Sequence, residues 1–338
     1  MNLNVAWFGV LAFTLAVYAV LDGFDLGLGT IHLLLGRTRE ERTRLIDSIG
    51  PVWNGNEVWL LAAGGSMVVA FPNLYAASFS GFYLALMLVL WLLLLRGLGI
   101  EFRHQIHHPM WEDAWDVVFA GASVLLALLF GVAFGNVLHG VPFEAPGEFR
   151  GSFAVLFNPF SLVAGGLSVA TLALHGACWA ALKMDGPLQA RARRFAAVLW
   201  IAAAVLLAVM IAVSFAVRPE FTKNFRVQPL LLVLPLGALA LLIVNRLAIT
   251  RGHDRQAFMT SSGYIAAVLA AAAAGLYPML LPAAPGSAAG GLDIYNAAAP
   301  AGSLRIALVI YLLGLAIVSV YLVNVYRVWR GKASSVYR

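Results

Sequence analysis

Nine nearly uninterrupted apolar stretches, each close to the ~20 residues a helix needs to cross a bilayer, limit what this chain can fold into. The hydrocarbon core has no water to satisfy open backbone groups, so only helices or closed barrels span it. The stretches are continuous rather than alternating, which selects helices. Charge supports the same reading. Only 11% of the 338 residues are charged and 62% are apolar, whereas a soluble domain carries about 25% charge. The mean hydropathy is +0.86. The expectation is an all-α polytopic membrane protein of nine transmembrane helices, over 7–35, 52–71, 79–95, 116–138, 156–182, 195–217, 227–244, 258–281 and 306–326. The first stretch has no basic leader and no small-residue cleavage site before its end, so it is read as a retained span.

Basic residues set the expected orientation. Seventeen of the 22 Lys/Arg fall in the loops after spans one, three, five and seven and in the C-terminal tail. The positive-inside rule then places the N-terminus outside and the C-terminus in the cytoplasm. The net charge of +6 therefore reflects topology and anionic headgroups, not nucleic acid. Arg218, Lys223 and Arg226, after span six, are a local exception. Short loops predict antiparallel neighbours, with one membrane domain throughout 1–338: a first four-helix unit over 1–140, a second over 141–290, and a last helix with its tail over 291–338. The longest exterior segment, "LPAAPGSAAGGLDIYNAAAPAGS", is expected to be irregular. Gly131-x-x-x-Gly135, Gly64–Gly65 and Gly165–Gly166 are expected at close helix contacts.

Of the 16 acidic residues, only Asp22, Asp25 and Glu57 fall inside spans, with Asp116 at an edge. No Lys or Arg does; Arg96, Arg246 and Arg305 are read as lying just beyond span ends. A carboxylate at mid-bilayer costs about 2.5–3.5 kcal/mol, so these acids must be protonated, hydrated or paired from elsewhere. Tyr18, Asp22, Asp25, Gly29 and His32 recur at a four-three spacing and share one helical stripe, which should face protein. If the lipid zone ends near Leu35, Asp25 lies about 15 Å inside; if it ends near Leu26, both acids sit at the inner interface. The second span opens "GPVWNGNEVWLL", with Pro51 suited to a first turn and Asn54 and Glu57 on one face. Asp22, Asp25, His32, Asn54 and Glu57 can thus converge on a cytoplasm-facing polar seam. That seam reads as a proton inlet, or as interhelical hydrogen bonding that closes a bundle or a subunit interface.

The histidines support haem ligation by this chain only weakly. His104, His107, His108 and His253 fall in loops and His139 lies near an outer edge, while His32 and His175 could face each other in one half of the membrane. The sole HxxxH, His104 to His108, is in a loop, and no CxxCH occurs. One cysteine, Cys178, excludes an intrachain disulfide. Trp7, Trp53, Trp111, Trp115 and Trp329 fall near span ends, as interfacial tryptophans do; Trp53 also suits the wall of a flat quinone ring.

The blocks "LDGFDLGLG", "GPVWNGNEVWL", "FPNLYAASFSGFY", "LLRGLGIEFR", "FGVAFGNVLHGVPF" and "NPFSLVAGGLSV" together resemble subunit II of the cytochrome bd-type quinol oxidases. They run from residue 21 to residue 169; beyond that the similarity lies in hydropathy, length and span count. The resemblance implies a heterodimer in the bacterial cytoplasmic membrane that oxidises quinol and reduces dioxygen to water. It implies two b-type haems and one haem d in subunit I, and no haem or metal ligand from this chain. It also implies a fold of two four-helix bundles plus a peripheral helix, a supporting role, a proton route, a structural quinone and a small single-helix accessory subunit. Asp22 and Asp25 match the family's "DGFD" motif. Where the family commonly reads "WDGN", this chain reads "WNGN", so Asn54 cannot ionise and Glu57 is the nearest acid. The proton-pathway candidates are therefore Asp22, Asp25, Asn54 and Glu57, with Trp53 as a quinone or interface contact. The alternatives are a proton-coupled secondary transporter, against which stand the missing inverted repeat and unbroken spans, and a purely structural scaffold.

Overall fold

The structure is a computed structural model that describes residues 2–145 and 147–333. Twelve α-helices occur among them: α1 (Leu3–Leu35), α2 (Arg39–Asp47), α3 (Trp53–Ala70), α4 (Pro72–Gly81), α5 (Tyr83–Phe102), α6 (Pro109–His139), α7 (Pro159–Lys183), α8 (Gly186–Val217), α9 (Thr222–Val227), α10 (Val233–Arg251), α11 (Asp254–Leu276) and α12 (Ala301–Val328). Eight helices among the described residues are long and apolar enough to cross a membrane. Helix α3 is 18 residues long but is not one of the eight, because Asn54, Asn56 and Glu57 lower its apolarity.

Helix α1 sits at the centre, packed against α3, α6, α7 and α11. Its crossing with α7 is made by two glycines. A Cβ on Gly27 would fall 1.7 Å from the Leu172 carbonyl oxygen, and one on Gly176 would fall 2.1 Å from the Leu28 nitrogen. Backbones in such contact gain dispersion and leave no room for a methyl group. Beside the crossing, Phe24 of α1 stacks on Trp179 of α7 at 4.1 Å between ring centroids. Among the expected packing glycines, Gly131, Gly135 and Gly165 do lie against neighbouring helices, whereas Gly64 and Gly65 have nothing within 4 Å of a built Cβ.

Two segments read as loops carry structure. Between Gly36 and Gly50 lies α2, whose start is a capping box: Thr38 Oγ1 accepts from the Glu41 amide at 3.2 Å and Glu41 Oε2 accepts from the Arg37 amide at 2.8 Å. The segment between α11 and α12 holds β3 (Met279–Leu281) paired with β4 (Leu292–Asp293), after an earlier hairpin of β1 (Phe143–Ala145) and β2 (Glu148–Phe149). The Val141 amide donates to the Pro282 carbonyl at 3.0 Å, which ties the two segments together. Arg218, the basic residue on this side, is buried and donates to the Ala283 carbonyl at 3.1 Å. It therefore holds this cap in place, which accounts for its departure from the charge rule.

Helix α5 runs to Phe102, seven residues past the expected end of span three. Its last turns are buried through Arg96, Gly97, Gly99 and Ile100, because the two glycines admit Trp53 and Phe119 at contact distance. The continuation carries Arg96 inside the helix instead of beyond it.

Replacing Gly27 by Ala should force α1 and α7 apart and lower stability by at least about 1–3 kcal/mol, the usual cost of overpacking. Gly237, with nothing within 4 Å, should accept Ala within about 0.5 kcal/mol. Apparent melting temperatures of the detergent-solubilised protein test this, and equal behaviour of the two variants would contradict the crossing.

Candidate functional site

The buried acids of α1 are not without a cation. Arg96 Nη1 donates to Asp22 Oδ1 at 2.6 Å, with both side chains wholly buried. The same guanidinium lies 3.6 Å from Glu57 Oε1 through Nη2. The expectation of no basic residue inside the spans is thus corrected. The signal was present in "LLLLRGLG", where an arginine interrupts an apolar run and glycines follow it. Arginine suits this position because its charge is permanent and its fork reaches two carboxylates at once.

Asp25, one turn along the same stripe, is met by a neutral group. Asn56 Nδ2 donates to Asp25 Oδ2 at 2.7 Å, and Asn56 Oδ1 accepts from the Tyr326 hydroxyl at 2.8 Å. Tyr326 belongs to α12, so the last helix closes the cluster. Gly55 permits this docking, since a Cβ there would meet Leu322 and Tyr321 at 3.2 and 3.3 Å. The amide at the cluster is therefore Asn56 and not Asn54, which is exposed on the opposite side of α3. Successive residues on a helix point about 100° apart, so one turn holds both an inward and an outward asparagine. Tyr18 Oη, Asp22 Oδ2, Asp25 Oδ1, Arg96 Nε and Arg96 Nη2 are buried without a hydrogen-bond partner among the described residues. Buried polar atoms are normally paired with protein or with water. Of the three carboxyl side chains only Glu57 is open, at 24% exposure.

His32 leaves this cluster for a second one. Its Nε2 lies 2.8 Å from Asp116 Oδ1, which also accepts from Arg103 Nε at 2.7 Å. Arg103 Nη1 donates to Thr43 Oγ1 at 2.7 Å, and Arg39 Nη2 to Asp113 Oδ2 at 2.7 Å. These bonds lash α2, α5 and α6 together at the basic-loop end. His175 lies elsewhere: its Nδ1 is 2.7 Å from Ser261 Oγ and its Nε2 is 3.0 Å from the Val20 carbonyl oxygen. The two histidines do not face each other. His175 is bonded at both nitrogens and His32 is held through Nε2 by Asp116, so the two do not form a facing ligand pair. His108, the second histidine of HxxxH, caps α6 by accepting from the Met110 amide through Nδ1 at 3.3 Å. No group of three His, Cys, Asp or Glu among the described residues is placed to hold a metal ion. Trp53 is 9% exposed; its indole packs on Gly97 and donates to Glu101 Oε1 at 3.3 Å.

Residues 3–329 match the family model described as cytochrome bd terminal oxidase subunit II. A Haemophilus influenzae protein described as "Probable cytochrome oxidase subunit 2" is 36% identical over 310 residues, covering 83% of this chain and 82% of that protein. The Escherichia coli cytochrome bd-I ubiquinol oxidase subunit 2 is 34% identical with the same coverage. The Bacillus subtilis cytochrome bd ubiquinol oxidase subunit 2 is 37% identical over 196 residues, 58% of each chain. In fold, the chain is similar to one in the structure of bd oxidase from Geobacillus thermodenitrificans, with a TM-score of 0.77 at 19% identity, over 97% of this chain and 99% of that one.

Removing Arg96 alone strands buried carboxylates, at a cost of about 3–5 kcal/mol. Arg96→Leu should therefore sharply reduce folded protein in membranes, and adding Asp22→Asn should restore much of it. Quantified membrane levels of the single and double variants decide the matter; no recovery in the double variant would mean that the pair is not what holds the cluster.

Proposed function

Because the chain belongs to the cytochrome bd terminal oxidase subunit II family, we propose that it braces the haem-bearing subunit I and carries protons toward it from the cytoplasm. The protein is a subunit of a respiratory quinol:O2 oxidoreductase and a multi-pass protein of the bacterial inner membrane. Redox chemistry belongs to the complex: the haems, in our reading two haem b and one haem d held by subunit I, pass electrons to dioxygen. Each electron delivered to dioxygen on the way to water takes up one proton. This chain's part is to supply such protons through a membrane-embedded interior.

One observation carries the reading. A single guanidinium, Arg96, faces Asp22 and Glu57, with Asp25 one turn away, and only Glu57 is open to the outside. One cation does not neutralise three carboxylates, so the cluster is built to hold protons as well as charge. Glu57 receives a proton at the open end; Asp22 and Asp25 lie further along α1. The unpartnered atoms of Tyr18, Asp22, Asp25 and Arg96 mark where hydrogen-bonded water would complete the relay. Asn54 has no proton to give and is exposed, so Glu57 takes the part of entry acid.

The wider architecture in this proposal has α3 as a ninth transmembrane helix and two four-helix units over 1–140 and 141–290. Helix α12 is peripheral, the N-terminus lies outside and the C-terminus in the cytoplasm. The seventeen basic residues on the odd-numbered loops and tail support that orientation. A structural quinone and a single-helix accessory subunit remain part of the proposal for the complex. The packing of Trp53 on Gly97 and Glu101 makes it a wall of this chain's interior.

In the assembled complex, Asp25→Asn alone, and Asp22→Asn with Asp25→Asn, should slow proton uptake during oxygen reduction, on the order of the 10²-fold that a positioned acid contributes. Glu57→Gln should reduce turnover more than Asn54→Asp does. Uptake at the wild-type rate with normal haem spectra would remove the relay role, and the opposite ranking would remove Glu57 as its entry.

A further inference from the structure

At the basic-loop end, where α2 meets α5, there is a cavity of ≈ 130 Å³ lined by Asp47, Glu101, His104 and Gln105, with Ile46 and Ile100. The Asp47 side chain is 1% exposed and lies 3.6 Å from His104 Nε2. Neither of its carboxyl oxygens has a hydrogen-bond partner among the described residues. Glu101, across the cavity, is exposed at the surface and accepts from Trp53 Nε1. The cavity therefore joins solvent to a sheltered carboxyl that makes no hydrogen bond to the neighbouring helices among the described residues.

We propose that Asp47, with Glu101 and His104 around this cavity, collects protons from the cytoplasm and hands them to Glu57. The inference rests on the reading of the Asp22–Arg96–Glu57 cluster as a proton route. The two sites share their helices. Trp53, bonded to Glu101, is four residues before Glu57 on α3, about 6 Å of rise, and Glu101 is five residues after Arg96 on α5, about 7.5 Å. Two waters spaced at ~2.8 Å bridge such a gap. Asp47 gives its proton to the Glu101 carboxylate or to His104 and regains one from solvent. The proton then passes along the wall formed by Trp53 to the open side of Glu57.

The electrostatics suit the task. Burial pushes the Asp47 carboxyl up to about 6, with Arg103 pulling the other way. Burial and the Arg103 charge lower His104 from its ordinary value, while Glu101 and Glu112 raise it and His107 lowers it. Arg103, Glu101 and His104 are the charged and titratable groups that face Asp47. The linkage has a definite sign. The folded value of Asp47 lies above the ordinary 3.8, so its contribution to stability is fully present below that ordinary value. It is lost as pH rises through about 6. At neutral pH the site thus sacrifices stability to keep a carboxyl that exchanges protons in the working range.

The test uses the purified complex in lipid vesicles, with proton uptake followed by a pH-indicator dye during oxygen reduction. Asp47→Asn should slow uptake at least about tenfold above neutral pH, and the deficit should shrink below about pH 6, where free protons are tenfold more abundant per unit. Asp47→Glu should keep the rate, haem spectra should be unchanged, and Asp47→Asn should melt higher than wild type at neutral pH. If Asp47→Asn does not assemble, Glu101→Gln carries the same expectation. Uptake unaffected by Asp47→Asn but slowed by Glu57→Gln would overturn this entry and leave the proton route standing. Uptake unaffected by either would overturn both. A pH-independent loss shared by Asp47→Glu would make Asp47 structural and overturn the inference.

Discussion

The Asp22–Arg96 pair is the constraint around which the first half of the molecule is arranged. Both groups are fully buried in helices of otherwise apolar sequence, and each is tolerable there only because of the other. The pair fixes the rotation of α1 about its axis, since Asp22 must meet α5. That rotation carries Asp25 to Asn56 and His32 to Asp116 on the same stripe. The opposite side of α1, with Phe13 and Leu34 exposed, is left for lipid or protein neighbours. One ion pair thereby sets which face of the central helix is interior.

The glycine crossing of α1 and α7 performs the complementary task of setting distance. With Gly27 and Gly176 in backbone contact, the α1 stripe and the α7 surface approach closely enough for His175 to reach the Val20 carbonyl. His175 thus bonds across helices, to α1 through the Val20 carbonyl and to α11 through Ser261. The basic-loop end is bound by a separate set, Arg103, Asp116, His32 and Arg39, through which α2 is anchored to the bundle. The Asp22–Asp25 cluster and this anchoring set share the α1 stripe but no hydrogen bond.

Much of this was legible in the sequence, for physical reasons that differ by element. Apolar run length identified the helices, because a bilayer has so few ways to satisfy a backbone. Helical periodicity put Asp22, Asp25 and His32 on one buried stripe, since spacing alone determines which residues share a face. Other assignments needed the third dimension. A basic residue usually ends an apolar run, and it takes Asp22 across the bundle, with Trp53 and Phe119 against the glycines, to account for Arg96 inside α5. Asn54 and Asn56 are two apart, and the phase of α3 that separates outward from inward is set by α12, some 270 residues later. The "TREE" run is compatible with the α2 capping box, but a segment so short and charged has no apolar face to mark it as a helix. The enclosure of Asp47 beside α5 leaves no trace in local composition.

Tyr326 has a bearing on biogenesis. Helix α12 is the last helix along the chain, yet its hydroxyl completes the Asn56–Asp25 bond that begins on α1 and α3. Beyond it, Lys332 Nζ donates to the Leu182 and Met184 carbonyls at 2.9 and 2.7 Å, fastening the tail to the end of α7. During synthesis, α1 and α3 therefore exist before their Asn56–Asp25 bond is latched, and that latch forms only once α12 has emerged. A chain halted before α12 would leave Asn56 Oδ1 without the Tyr326 hydroxyl and the interior half closed.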